Sequence, residues 1–273
     1  IGPAAYANRN IQYKEGIYQR EYTPDFPIQV AENLFLRQDY QDSIYNMILS
    51  SPLEEKEYKY SDLGYYYFFR AVENITGQKF YPYLWSNFYA SIGAETLVFL
   101  PLNRFDKTRI VPTENDLIFR RQLIHGYVHD PGAAMLGGIC GHAGLFSNAN
   151  DLAKMMQIYL NHGTYGGEQY IDSATIAEFT RCQFCDFENR RALGFDRPIT
   201  EEEDAGPASN SASENSYGHS GFTGTIAWMD PDYDLLYVFL SNRIHPDQHN
   251  AKLVTMNVRT RIQEQVYRSI LPE

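Results

Sequence analysis

Two short runs of chemically capable side chains stand at the starts of regular elements in this chain. Tyr60-Ser61-Asp62 opens a stretch with helical spacing, and His219-Ser220-Gly221 opens a stretch of strand composition. A phenol can shuttle a proton only if neighbouring cations bring its pKa down from about 10 toward the working pH. An imidazole beside a hydroxyl offers hydrogen bonds to an anionic ligand. Each run also has a plain structural use. Ser61 or Asp62 caps a helix well, and a histidine at a strand start is an ordinary surface residue. Cys182 and Cys185 form C-x-x-C, the spacing of a redox pair or half a zinc site. With no second close pair of ligands nearby, two ordinary thiols at a helix end are expected. Cys140, between Ile139 and Gly141, reads as a small buried residue. His125 and His129 lack a third ligand, and Gly126 with Asp130-Pro131-Gly132 breaks any helix that would align them.

The elements that must carry these groups follow from spacing and punctuation. Residues 1–40 hold Pro3, Pro24 and Pro27 without a sustained period, and read as an extended, loop-rich lead-in. Helical spacing runs over 43–49, returns after Ser61 until Gly77, and appears again over 83–90 until Gly93. Residues 101–138 are irregular. A helix starts at Asn148 or Asn150 and stops at Gly163, and Asp172 or Ser173 caps a shorter one. Residues 200–216, with Glu201-Glu202-Glu203-Asp204 followed by Gly, Pro, Ser and Asn, are expected to be a mobile surface loop. Residues 223–229 and 235–241 read as a hairpin around Asp230-Pro231-Asp232-Tyr233. Residues 251–271 close the chain with Leu253, Val254, Val258, Ile262, Val266 and Ile270 on one helical stripe.

These motifs, in this order, resemble those of the penicillin-recognising serine hydrolases: serine β-lactamases, D-alanyl-D-alanine peptidases and related esterases. Tyr60-Ser61-Asp62 resembles the second motif of that family, with Asp62 where Asn is usual; a carboxylate accepts but cannot donate. The run from Tyr217 to Thr225 is similar to the third, where Lys or His, then Ser or Thr, then Gly lines the site. The glycine-rich stretch Gly137-Gly138-Ile139-Cys140-Gly141-His142-Ala143-Gly144 resembles the approach to a long helix in the family. His142 either lines the cleft or packs under that loop. The resemblance implies that Tyr60 shuttles a proton and that the Phe222 N–H supplies half of an oxyanion hole. It implies that His219, Ser220, Gly221 and Asp62 bind substrate. The first motif, Ser-x-x-Lys, has no counterpart: Ser43, Ser51, Ser147 and Ser213 are followed at that spacing by Asn46, Glu54, Asn150 and Ser216. The expectation is that the chain begins after it.

The fold expected is α+β, serine β-lactamase/transpeptidase-like, with an antiparallel sheet flanked by helices, a helical region across the cleft, and an N-terminal truncation. Residues 41–273 form the domain, mainly helical over 41–200, with hairpin and C-terminal helix over 217–273. The parent reaction would be acyl transfer through a covalent acyl-enzyme on a peptidoglycan-type peptide, β-lactam or ester; this chain alone is expected to be inactive. The alternatives are a non-catalytic module of a larger envelope enzyme, such as a glycoside hydrolase, and a carboxylesterase on the same fold. A net charge of -11 leaves no basic stripe for nucleic acid, and no apolar run approaches the roughly 20 residues that span a bilayer. No cofactor is called for. A periplasmic or cell-envelope location, with a signal peptide upstream, is expected. Truncation should expose Leu253, Val258 and Ile262, or the strand face of Ile226 and Trp228, for a second copy or an N-terminal segment to cover.

Overall fold

The computed structural model describes residues 16–52, 58–187, 189–199 and 206–270. These fall into two compact units of interleaved segments. One takes the described residues up to 84, then 98–146 and 245–247; the other takes those of 85–97, 147–244 and 248–270.

The first unit begins where a loop-rich lead-in was expected. Its described part instead carries β1 (Tyr18–Gln19), β2 (Ile28–Ala31) and β3 (Leu34–Leu36), in antiparallel order β1-β3-β2. The turn between β2 and β3 places Asn33 at φ 53°, a conformation asparagine tolerates. Val30, Ala31 and Leu36 are fully buried and join one core with Ile44 and Tyr45 of α1 (Tyr40–Leu49). Strands of two to four residues are too short to show a period, which hid them in the sequence. A 3₁₀ turn (Leu63–Tyr66) and α2 (Phe68–Thr76) follow the Tyr60 run, and α3 (Phe80–Leu84) closes this segment.

Residues 101–138 are also more ordered than their composition implied. β4 (Pro112–Asp116) and β5 (Gln122–His125) pair antiparallel around the buried Arg120. The Arg120 guanidinium donates to Asp116 at 3.0 Å, to Glu114 at 2.7 Å and to the carbonyls of Val128 and His129. A buried charge held this fully is stable, whereas removing one partner would strand it. α4 (Pro131–Met135) starts at Asp130, whose side chain accepts from the Ala133 N–H at 2.7 Å.

The glycine-rich stretch after α4 packs against the Tyr60 segment. A Cβ on Gly141 would lie 2.7 Å from the Tyr65 carbonyl oxygen, so only glycine allows this approach. The His142 ring stacks on the buried Tyr66 at 4.7 Å, and its Nε2–H donates to Asp130 at 2.8 Å. His142 therefore packs under the loop.

In the second unit, the Trp85–Tyr89 π-turn is followed by α5 (Ala149–Leu160), capped by Asn148 accepting from Asp151. β6 (Thr164–Tyr165) pairs with β7 (Glu168–Gln169), and Asp172 caps α6 (Ser173–Thr180). The sheet has order β10-β9-β8, from β8 (Tyr217–Ser220), β9 (Ile226–Asp230) and β10 (Leu235–Phe239). The hairpin is therefore β9–β10, with β8 added as an edge. Its first strand starts later than expected, because residues 221–225 form a turn: the Gly221 N–H donates to the Thr225 carbonyl at 2.9 Å.

Three expectations fail in this unit, and one of two alternatives for an exposed face is excluded. Cys182 and Cys185 are joined in a disulfide rather than left as thiols. Of the segment expected to be mobile, residues 200–205 lie outside the described residues. Residues 206–216 are pinned: the Ser209 N–H donates to Gln263 at 2.9 Å, and Ser213 donates twice to Asp230. The strand face carrying Ile226 and Trp228 is buried against the chain's own Ala208 and Tyr237. The closing helix breaks at Asn257 (φ 49°) into α7 (Lys252–Thr255) and α8 (Val258–Ile270), and its inward residues are Gln263 and Tyr267, not Ile262 and Ile270. Polar partners decide that face, since the Tyr267 hydroxyl donates to the buried Asp230 at 2.5 Å.

Two outcomes follow. Tyr267→Phe leaves Asp230 short of a donor and should cost about 1.5–3 kcal/mol in chemical denaturation; a loss indistinguishable from zero contradicts this account of α8. Burial would lower the pKa of His142 from its ordinary 6.5, but Asp130 and Cys140 outweigh it and raise the value to about 10. Burial opposes the Asp130 shift too, and His142 still holds that carboxyl below its usual range. The raised histidine stabilises the fold fully below pH 6.5, and that contribution drains away as pH climbs toward 10. Wild type should lose thermal stability relative to His142→Gln across this window; parallel melting curves would refute the pairing.

Candidate functional site

Tyr60, Ser61 and Asp62 lie in the first unit, just before the 3₁₀ turn. The Tyr60 ring is 57% exposed. Ser61 takes the structural role, its Oγ accepting from the Leu63 N–H at 3.3 Å. Asp62 caps only through its backbone, the carbonyl accepting from the Tyr65 N–H at 2.9 Å, while its side chain makes no capping bond. Tyr65 and Tyr66, the residues against which the glycine-rich stretch packs, are thus part of the turn that fixes this run.

His219, Ser220, Gly221 and Phe222 are brought together in the second unit. His219 and Ser220 end the edge strand β8, opposite Ala227 and Ile226 of β9. Gly218 faces Trp228, and a Cβ there would lie 2.6 Å from the indole, so the tight β8–β9 contact requires glycine. Gly221 begins the turn, and Phe222 projects from it, 58% exposed, with the Arg243 guanidinium 4.7 Å from its ring centroid. The turn is held from below by the Arg259 guanidinium, which donates to the Thr225 carbonyl at 2.9 Å, and by the Arg243 N–H on the Thr223 carbonyl at 3.0 Å.

His219 has a charged neighbour. The Arg191 guanidinium lies 3.3 Å from His219 Nε2. Arginine only donates, so Nε2 accepts, and the proton is on Nδ1, which donates to the Ser220 carbonyl at 2.9 Å. Arg191 is fixed from behind: Asp196 takes Arg190 at 3.0 Å and Arg191 at 3.4 Å. Two guanidiniums on one carboxylate leave a net positive charge beside β8, suited to a carboxylate ligand. Nothing local in the sequence marks Arg191, because its contact with His219 spans 28 residues. Among the described residues, no group of three or more His, Cys, Asp or Glu is placed to hold a metal. Nor is any helix there long and apolar enough to cross a membrane.

Comparison with known proteins gives a consistent answer. The Beta-lactamase family model matches residues 20–256. A protein of Salmonella schwarzengrund, provisionally named a D-alanyl-D-alanine carboxypeptidase, is 34% identical over 247 residues, covering 84% of this chain and 56% of its own length. A Salmonella typhi protein of the same provisional name is 33% identical over the same span. The chain thus spans little more than half the length of these relatives. Among solved structures, a β-lactamase from Mycobacterium bovis aligns with TM-score 0.52 at 20% identity, over 78% of this chain and 64% of that one. A simvastatin synthase from Aspergillus terreus aligns with TM-score 0.52 at 16% identity, over 76% of this chain and 54% of that one. Both share the fold, an α+β arrangement of helices and antiparallel strands. The chain belongs to the β-lactamase family.

Proposed function

We propose that this chain is the substrate-holding part of a serine hydrolase that transfers an acyl group from a peptide ending in D-alanyl-D-alanine. The observation that carries the reading is the Arg191 guanidinium held on His219 at the end of an edge strand. That charge would take the terminal carboxylate of the peptide, with the Ser220 hydroxyl as a second donor and Gly221 leaving room for the acyl group. The Phe222 N–H would hold the oxyanion that forms when the carbonyl is attacked. Tyr60 would move the proton between nucleophile and leaving amine, and Asp62 would accept from a substrate amide or a lysine. The provisional name of the Salmonella relatives supports this substrate.

No serine in these 273 residues has lysine three positions later. The nucleophile and its lysine would come from a segment outside this sequence. The same observation favours a second reading, a non-catalytic module that binds the peptide terminus within a larger envelope enzyme. A cell-envelope location suits both, and the Cys182–Cys185 disulfide fits an oxidising compartment.

Two measurements test the proposal. A D-alanyl-D-alanine-terminated peptide should bind the chain in calorimetry, and Arg191→Ala should weaken binding about 10- to 100-fold, the cost of a charge-assisted hydrogen bond. Amidating the carboxylate should have the same effect; equal binding of acid and amide would overturn the carboxylate role. The chain alone should form no covalent adduct with a labelled penicillin, because no nucleophile is present to be activated. Intact-mass spectrometry finding a stoichiometric acyl adduct on any of its serines would refute that.

A further inference from the structure

We propose that Cys140 is an oxidation site, a thiol that hydrogen peroxide converts to the sulfenic acid with His142 as the proton donor. The site lies within the first unit and does not rest on the carboxylate reading of Arg191.

Asp130 at the start of α4 and two residues of the glycine-rich stretch make the site. Cys140 is a free thiol, 2% exposed. The side chain of His142 is 5% exposed. Its ring lies on that of Tyr66, centroids 4.7 Å apart and planes within 12°. Its Nε2–H donates to Asp130 at 2.8 Å, and the Ala133 N–H donates to the same carboxylate oxygen at 2.7 Å. The ring is thus fixed on one face and at one nitrogen. The other nitrogen, Nδ1, is sealed from solvent and makes no hydrogen bond of ordinary geometry. A buried polar atom in that state calls for a reacting group or ligand to complete it. Burial opposes a charge on this ring, yet Asp130 and Cys140 together raise its pKa to about 10. Both nitrogens therefore carry protons at neutral pH, and the Cys140 side chain is near enough to feel that charge. Carboxylate, imidazole and thiol in this order are the parts of an activated cysteine nucleophile. A cysteine that only filled space would need no charged ring beside it.

Burial at this level shuts out an acyl substrate and selects a small reagent. Gly141, the next residue, is exposed, so the thiol lies one residue below the surface. Hydrogen peroxide is little larger than water. The Cys140 sulfur attacks one of its oxygens, the S–O bond forms and the O–O bond breaks. His142 Nδ1–H gives its proton to the departing hydroxide, and the thiol proton restores the ring. The sulfur loses two electrons, the peroxide gains them, and the products are the sulfenic acid and water.

The test treats the chain with hydrogen peroxide at neutral pH, removes the peroxide with catalase, and then unfolds the chain in dimedone, which tags sulfenic acid. Peptide mapping locates the tag; methionine sulfoxide and the Cys182–Cys185 disulfide take none. Cys140 should be oxidised about tenfold faster in the folded chain than in chain unfolded by urea beforehand, a modest share of what a placed general acid contributes. His142→Gln, checked for folding by circular dichroism, should react no faster than the unfolded chain, because glutamine can still bond Asp130 but has no proton to give. Cys140 oxidised no faster in the folded wild type than in the unfolded chain would overturn the proposal and leave the thiol a filler of the core. A folded His142→Gln variant reacting at the wild-type rate would overturn the role of His142. Should that variant fail to fold, the comparison of folded with unfolded wild type decides alone.

Discussion

A buried carboxylate, Asp196, joins the two features on which the second unit's site depends. Its backbone exchanges hydrogen bonds with Gly218 in both directions, at 2.7 and 3.0 Å, which docks the arginine-bearing segment along the edge of β8. Its side chain holds Arg190 and Arg191. A buried carboxylate without partners would be costly, so the arginines are as necessary to Asp196 as it is to them. The consequence is a guanidinium fixed beside His219 and not free to follow solvent. A preorganised charge of this kind holds an anionic ligand without the ordering cost that a free arginine would incur.

The same arrangement shows how an acidic chain could offer the proposed site for an anion. The net charge of -11 is spread over the surface and screened within about 10 Å at moderate salt. What a carboxylate would meet at β8 is local: Arg191, with Arg243 over Phe222 and Arg259 behind the turn. Within the first unit, packing sets the Tyr60 run. The glycine-rich stretch, His142 and Asp130 brace Tyr65 and Tyr66, and so the turn that follows Tyr60.

The parts of this structure that could be read from sequence are those decided by neighbours in the chain. Asn148 and Asp172 cap α5 and α6 because a short polar side chain before an amphipathic run does so locally. The β9–β10 hairpin showed itself through β-branched and aromatic residues either side of a turn. What escaped was decided across the fold. β4 and β5 are organised by the ion pairs of Arg120, which leave no apolar period. The inward face of α8 is chosen by Gln263 and Tyr267 because Ser209 and Asp230 need partners. Residues 206–216 look soluble in composition, yet their serines are the donors that satisfy those same buried groups. Of the site, the His219 run was legible as a motif, while Arg191 was not: an arginine gives no sign of which distant strand it will meet.

The central claim is that the Arg191–His219 pair receives a peptide's terminal carboxylate. A crystal structure of the chain with a peptide ending in D-alanyl-D-alanine tests it most directly. The account predicts carboxylate oxygens within about 3 Å of the Arg191 guanidinium and the Ser220 hydroxyl, the reach of a charge-assisted hydrogen bond. A peptide bound with its carboxylate elsewhere, and Arg191 still resting on His219, would contradict it.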